Sequence, residues 1–296
     1  MLPYNKFLKN QFWDIIRIWY IININMIKLD FQINKYYLAY LVVNQSNKLA
    51  NQPSAELLLA TKLKNLQKRL VKNYKNNPAY YFIYLAGYKY IKWAIEQIYL
   101  SDIEKSHNNQ LEIISKDIQK IFQTIFNSQE FETILKETIE YKNFVEHQWN
   151  QNKSFVFNYL EEVLGKKLAN LSIKIIIVHP VLNKGHAVLK QNLIVWGHNE
   201  DWQNYATVYL AHEITHILFN HYKIKLDNLS HALIELITDN ELRIRLNQKG
   251  KYFREGRKHV GHPGLRQMEK QILPSWCEYL QNKKKNLSLF LNQLKK

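Results

Sequence analysis

Tyr209-Leu210-Ala211-His212-Glu213-Ile214-Thr215-His216-Ile217-Leu218-Phe219 is the stretch whose reading organises the rest of the chain. Its two histidines stand four residues apart. On an α-helix that spacing sets both imidazoles on one face, one turn above the other. Leu210, Ile214, Ile217 and Leu218 fall on the opposite, apolar side, and Glu213 sits beside the histidines. A helix divided in this way packs one face and opens the other to a cleft. Two imidazoles so spaced can hold one metal ion between them. The pattern predicts a helix from about 204 to 221, with His212 and His216 as metal ligands.

The chain downstream supplies a third donor. Leu233-Ile234-Glu235-Leu236-Ile237-Thr238-Asp239 brings a carboxylate into or beside an apolar helix face, where an unpaired charge is costly. A metal would resolve that cost. Glu235 follows His216 by 19 positions, enough for one helix to end, a loop to turn and a second helix, from near Ser230 to Gly250, to return. Two His and one Glu leave the fourth tetrahedral position to water, the pattern of catalytic rather than structural zinc. Asp239, one turn beyond Glu235, can accept the outer N–H of a liganding His. Its competing role is an i,i+4 ion pair with Arg243. Other third ligands compare less well. His221 points off the histidine face. His231 lies one turn before Glu235. Glu241 sits in a more polar stretch. Only Glu235 combines apolar flanks with a supporting Asp.

Upstream, Ser172–Val178 is β-branched and reads as a buried strand stopped by His179-Pro180. Gln191–Trp196 reads as a second strand closed by Gly197, and Asn183-Lys184-Gly185 between them is turn-like. A short strand is expected at Ile27–Ile33. Helices are expected at about 55–75, 80–99, 110–126, 130–149 and 155–164, the last capped by Gly165. Seven of the 8 glycines lie from Gly165 onward, and nine of the 11 histidines from His179 onward. The fold class expected is α+β: a mostly helical N-terminal domain over 1–165, then a small domain over 166–296 carrying a short sheet, the metal helices and a basic helical tail.

Composition bounds the alternatives. With 8 Gly and 6 Pro in 296 residues, collagen-like and linker-like chains are excluded, and 46% hydrophobic residues suffice for a packed core. The single cysteine, Cys277, rules out an internal disulfide and a cysteine-held zinc site, so zinc here must be held by His and Glu. A net charge of +16 raises a nucleic-acid or anionic-membrane partner. Lys greatly outnumbers Arg, however, and Lys is the poorer bidentate contact. The runs 62–75, 243–258 and 283–285 match no nucleic-acid module, so a solvated basic surface is the expectation. The apolar run Ile15–Ile24 is too short and too polar to span a bilayer. No small-residue cleavage site follows, so no signal peptide is expected, and the single cysteine points to the cytoplasm.

His212, Glu213, His216, Glu235 and Asp239 together resemble the gluzincins, the zinc peptidase group that includes thermolysin. There, HExxH is followed on the next core helix by a Glu ligand, and an Asp four residues later supports the first His. The resemblance covers about residues 172–250. The metzincin pattern fails, because Phe219 stands where Gly is required and His221 comes one position early. The resemblance implies one zinc ion and hydrolysis of a peptide or protein substrate, with Glu213 taking a proton from water and passing it to the leaving amine. It implies an oxyanion donor from a later segment, for which Tyr252, His259 and His262 are candidates. It also implies a substrate-side edge strand just upstream, here Asn192, Leu193, Ile194, Val195 and Trp196, pairing with an extended peptide. The rival readings are a nucleic-acid-associated protein, a non-enzymatic interaction protein that keeps the metal site, and a zinc hydrolase acting on another bond.

Overall fold

The computed structural model describes residues 27–44, 123 and 126–295. Four strands form one sheet: β1 (Lys28–Gln32), β2 (Ser172–Ile177), β3 (Lys184–Val188) and β4 (Leu193–Gly197). Their order is β1-β2-β4-β3, with β1, β2 and β4 parallel and β3 antiparallel to β4. Parallel strands covered on both faces read as continuous apolar runs. That is why β2 (SIKIII) and β4 (LIVWG) stand out in the sequence, and every residue of β4 is buried.

The same burial corrects the expectation that Asn192–Trp196 is the edge strand. Leu193, Ile194, Val195 and Trp196 lie between β2 and β3, inside the sheet. Asn192 is not in the strand; it takes a left-handed conformation at the end of a 3-10 turn. The terminal strand is β3, in the segment read as turn-like. Two 3-10 turns, each closed by a left-handed Asn (Asn183 and Asn192), bracket it and let Lys-Gly-His-Ala-Val extend between them.

Helix α1 (Lys35–Asn44) follows β1. Helix α2 (Gln129–Leu164) is one 36-residue helix where two were expected. The polar stretch Asn150–Ser154 separates the two apolar stretches in sequence, but it is a largely exposed turn within one continuous helix. Ser128 caps the start by accepting the Phe131 N–H. Gly165, at φ 67°, closes the end as expected, and a Cβ there would overlap the Lys285 carbonyl. Helix α3 (Tyr205–His221) carries the HExxH segment. Helix α4 (Asn228–Glu235) starts with an Asp227–Ser230 capping box and runs without a break into a π-helical segment, Leu236–Leu242, and then α5 (Arg243–Asn247). A small hairpin, β5 (Arg254–Glu255) and β6 (Lys258–His259), leads to α6 (Arg266–Gln281) and α7 (Leu287–Leu294).

The boundary expected at residue 165 does not separate two cores among the described residues. Val145, Trp149, Val156 and Leu160 of α2 belong to the same buried cluster as Ile173 and Ile175 of β2, Leu210 and Ile217 of α3, and Trp276 of α6. Tyr159 Oη donates to the Ile237 carbonyl (2.7 Å) and Tyr279 Oη to the Val163 carbonyl (2.6 Å), tying both sides of Gly165 together. The reason is geometric. The small sheet needs cover on both faces, and α2 provides part of it. The helices expected at 55–75 and 80–99, most of 110–126 and the apolar run at 15–24 lie outside the described residues. Among those described, no helix is long and apolar enough to cross a membrane.

Candidate metal centre

Helix α3 buries His212 to 2% exposure and leaves His216 half-buried one turn on. Nδ1 of His212 is 2.9 Å from Asp239 Oδ1, and Thr238 Oγ1 is 3.0 Å from the same carboxylate oxygen. A carboxylate can only accept, so Nδ1 of His212 carries a proton, and Nε2 is the nitrogen left for another partner. That Nε2 lies 3.1 Å from Nε2 of His216. Asp239 therefore makes the contact to His212 that the sequence led us to expect. The alternative ion pair does not form: Arg243 Nε donates to the Asp239 backbone carbonyl (2.8 Å), and the guanidinium pairs with Glu255 and the Lys251 carbonyl.

The electrostatics separate the two histidines. Burial pulls His212 down, but the charge and hydrogen bond of Asp239 outweigh it and raise the pKa to about 9. His216 is pushed down to about 3, by burial first and then by the neighbouring His212 and His231. A neutral His216 is ready to act as a donor. Glu213 is 9% exposed, and burial raises its pKa while His212 and the Ala187 backbone N–H draw it back. A carboxyl group shifted upward in this way is a stronger base than an exposed carboxylate.

The sequence leads us to expect Glu235 beside both α3 histidines, but it does not group with His216. Ligand atoms of His212, His216 and His231 all lie within 4.8 Å of one another. Glu235 groups instead with His231 and His262, and with His212 and Asp239, but not with His216. The cause is local. Glu235 is fully buried, its Oε2 accepts the His262 backbone N–H (3.0 Å), and its Oε1 binds His262 Nδ1. Gly261, at φ 78°, presses its backbone so close that a Cβ would overlap Glu235 Oε2. Burial works against the Glu235 charge, but His262 and His212 hold the carboxyl down to about 2.

The remaining candidates separate in the same way. His262 lines the cleft of about 290 Å³ that holds His212, Glu213, His216 and His231. Tyr252 and His259 do not. They line a different hollow, with Phe253, Arg254, Arg266 and Lys270, and Tyr252 donates to Glu241 and accepts from Trp276 Nε1 (3.2 Å). Glu241 is occupied by that hydroxyl and by Arg245 at 2.6 Å. The opposite wall of the cleft is Gly185, His186, Ala187 and Leu189, from β3 and the turn after it. Sequence reasoning overlooked this wall, since nothing in Lys-Gly-His-Ala-Val marks a strand. Among the described residues, all three groups of donors able to hold a metal fall in this one place. Comparison with protein-family models, with curated proteins and with solved structures gave no match.

Proposed function

We propose that this protein is a zinc-dependent metallopeptidase. The observation that carries the reading is the His212–His216 pair: two Nε2 atoms 3.1 Å apart, with the far side of His212 fixed by Asp239. Tetrahedral zinc with bonds of about 2.0–2.1 Å sets its nitrogen ligands roughly 3.4 Å apart, so the pair fits one ion. The cleft wall and the position of Glu213 support it further. When bound, zinc supplies Lewis acidity, polarising a carbonyl and making water easier to deprotonate.

The chain's own residues supply the rest. Glu213 takes a proton from water and delivers it to the leaving amine. His262, its Nδ1 held by Glu235, keeps Nε2 for the developing oxyanion. An extended peptide aligns beside β3, the terminal strand of the sheet and a wall of the cleft. β3 thus takes the role first assigned to 192–196.

The test pairs zinc stoichiometry with cleavage of an unbiased peptide library. The expected result is one zinc per wild-type chain with hydrolysis, and a Glu213→Gln variant that keeps zinc and loses about a thousandfold or more in rate. Wild-type protein that takes up no zinc at stoichiometric supply overturns the metal centre. Zinc uptake with no peptide cleaved overturns the peptidase.

A further inference from the structure

We infer that the metal is held by three histidines, His212, His216 and His231, and that Glu235 is a positioning residue rather than a ligand. This rests on the zinc reading above and departs from the gluzincin pattern, in which the Glu coordinates. Three observations on α3 and α4 support it.

The first is the geometry of the helix pair. Helices α3 and α4 are joined by a short connection and run back along one another. A residue late in α3 therefore faces one early in α4, and an earlier residue of α3 faces a later one. The contacts follow this rule: His216 faces His231, with ring centroids 4.8 Å apart, while His212 bonds Asp239. With His212–His216 at 4.9 Å and His212–His231 at 5.7 Å, the three rings form a nearly even triangle. Glu235 sits one turn too far along α4 to face His216.

The second is an unsatisfied atom. His231 Nε2 is buried and makes no hydrogen bond, its nearest charged neighbour being Glu235 Oε1 at 3.8 Å. Buried polar atoms without partners are uncommon and call for a physical explanation. A metal ion held by the three rings supplies one.

The third is that Glu235 is already committed. Both of its oxygens hold His262, one through the backbone and one through the ring, and the Gly261 backbone closes over it. Turning the carboxylate toward the histidines would leave the His262 N–H without its acceptor and release the 259–262 loop. Its position instead lets it anchor that loop and offer negative charge beside His231. Three neutral imidazoles with an open fourth position are a known catalytic zinc set.

X-ray absorption on the zinc-loaded full-length wild type counts the imidazoles directly, and chelator competition on variants assigns them. The expectation is three imidazoles in the wild type. His231→Ala should lower zinc affinity about a thousandfold, close to the loss from His216→Ala. Glu235→Gln should lose only about tenfold, as removal of an outer partner does, and should keep the three-imidazole signature. Circular dichroism checks that each variant folds; if His231→Ala does not, the wild-type ligand count decides alone. Two imidazoles and a carboxylate in the wild type overturn the inference and leave the peptidase reading intact. So does a Glu235→Gln variant that loses zinc while His231→Ala keeps it. A wild type that binds no zinc overturns both.

Discussion

Helix α3 and the segment 228–247 both supply polar groups to the same centre, yet they differ in regularity. Helix α3 is α-helical from Tyr205 to His221, so positions four apart stay in line and His212 and His216 meet as their spacing requires. The second segment begins as α-helix, widens into a π-helical turn over Leu236–Leu242 and returns to α-helix at Arg243. Within the turn, the Asn240 side chain donates back to the carbonyl of Glu235, five residues earlier (2.9 Å). π turns are rare and cluster at functional sites. Here the turn brings Asp239 to His212 while Asn240 caps the turn from within. One helix presents donors by periodicity alone. The other must be locked by side chains, and its lock is Arg243 with the loop that follows.

That contrast can be broken at several points. Arg243 is fully buried and joins the Asp239 carbonyl, the Lys251 carbonyl and Glu255. Arg243→Ala leaves Glu255 without its cation and should cost about 3–5 kcal/mol in chemical denaturation. An equally severe substitution on the solvent side of α3, such as Asn220→Ala, should cost under about 0.5 kcal/mol. Gly261→Ala forces a Cβ into Glu235 and asks Ala to hold φ 78°. A loss of about 2 kcal/mol is expected, and proteolysis should speed up within the 249–264 loop while α3 keeps its hydrogen-exchange protection. Wild-type stability for the variant would show that the loop does not lock the segment.

The next effect is pH-dependent. Glu269 of α6 is fully buried, hydrogen-bonded to Asn240 (3.3 Å) and 3.1 Å from Arg266 Nη1. Burial raises its pKa to about 7, against the partial relief of Arg266. A carboxyl with a raised folded-state pKa binds its proton more tightly in the native state. Its stabilising share is complete below the unfolded-state pKa near 4.5 and is lost as pH rises through about 7. Glu269→Gln should therefore be more stable than wild type at pH 8, by about 1 kcal/mol, with the advantage vanishing near pH 4.5 in paired thermal melts. The smallest effect belongs to the residues on the other hollow. Tyr252→Phe and His259→Ala should each leave peptide hydrolysis within about twofold of wild type, because neither borders the cleft. A large loss in either would return it to the oxyanion role.

How much was readable follows from the same physics. The HExxH helix was legible because regular helical spacing and an apolar opposite face are both written in sequence. β2 and β4 were legible because a fully covered strand is a run of apolar residues. Asp239 was legible from its four-residue offset to Glu235. What could not be read depended on contacts between distant segments. β3 is a half-buried terminal strand with no alternation, and its identity comes from pairing with β4. The place of Glu235 depends on what holds the carboxylate, and that partner, His262, is 27 residues away. Tyr252 and His259 share a loop with His262, but the β5–β6 hairpin carries them to its other side.

β1 carries a consequence for how the chain must assemble. Lys28 pairs with Ser172 and Gln32 with Ile176, so the first strand of the sheet finds its partner across more than 140 residues. Closing so long a loop is entropically slow, and folds built on such non-local pairing form later than helix hairpins do. The α3–α4 pair can therefore form before the sheet is complete. The chain also cannot be shortened to the half that carries the candidate site without exposing the flank of β2, an apolar strand whose open edge would invite pairing between copies. Any recombinant fragment beginning after Gly165 should for that reason be sticky, even with every residue of the candidate site present.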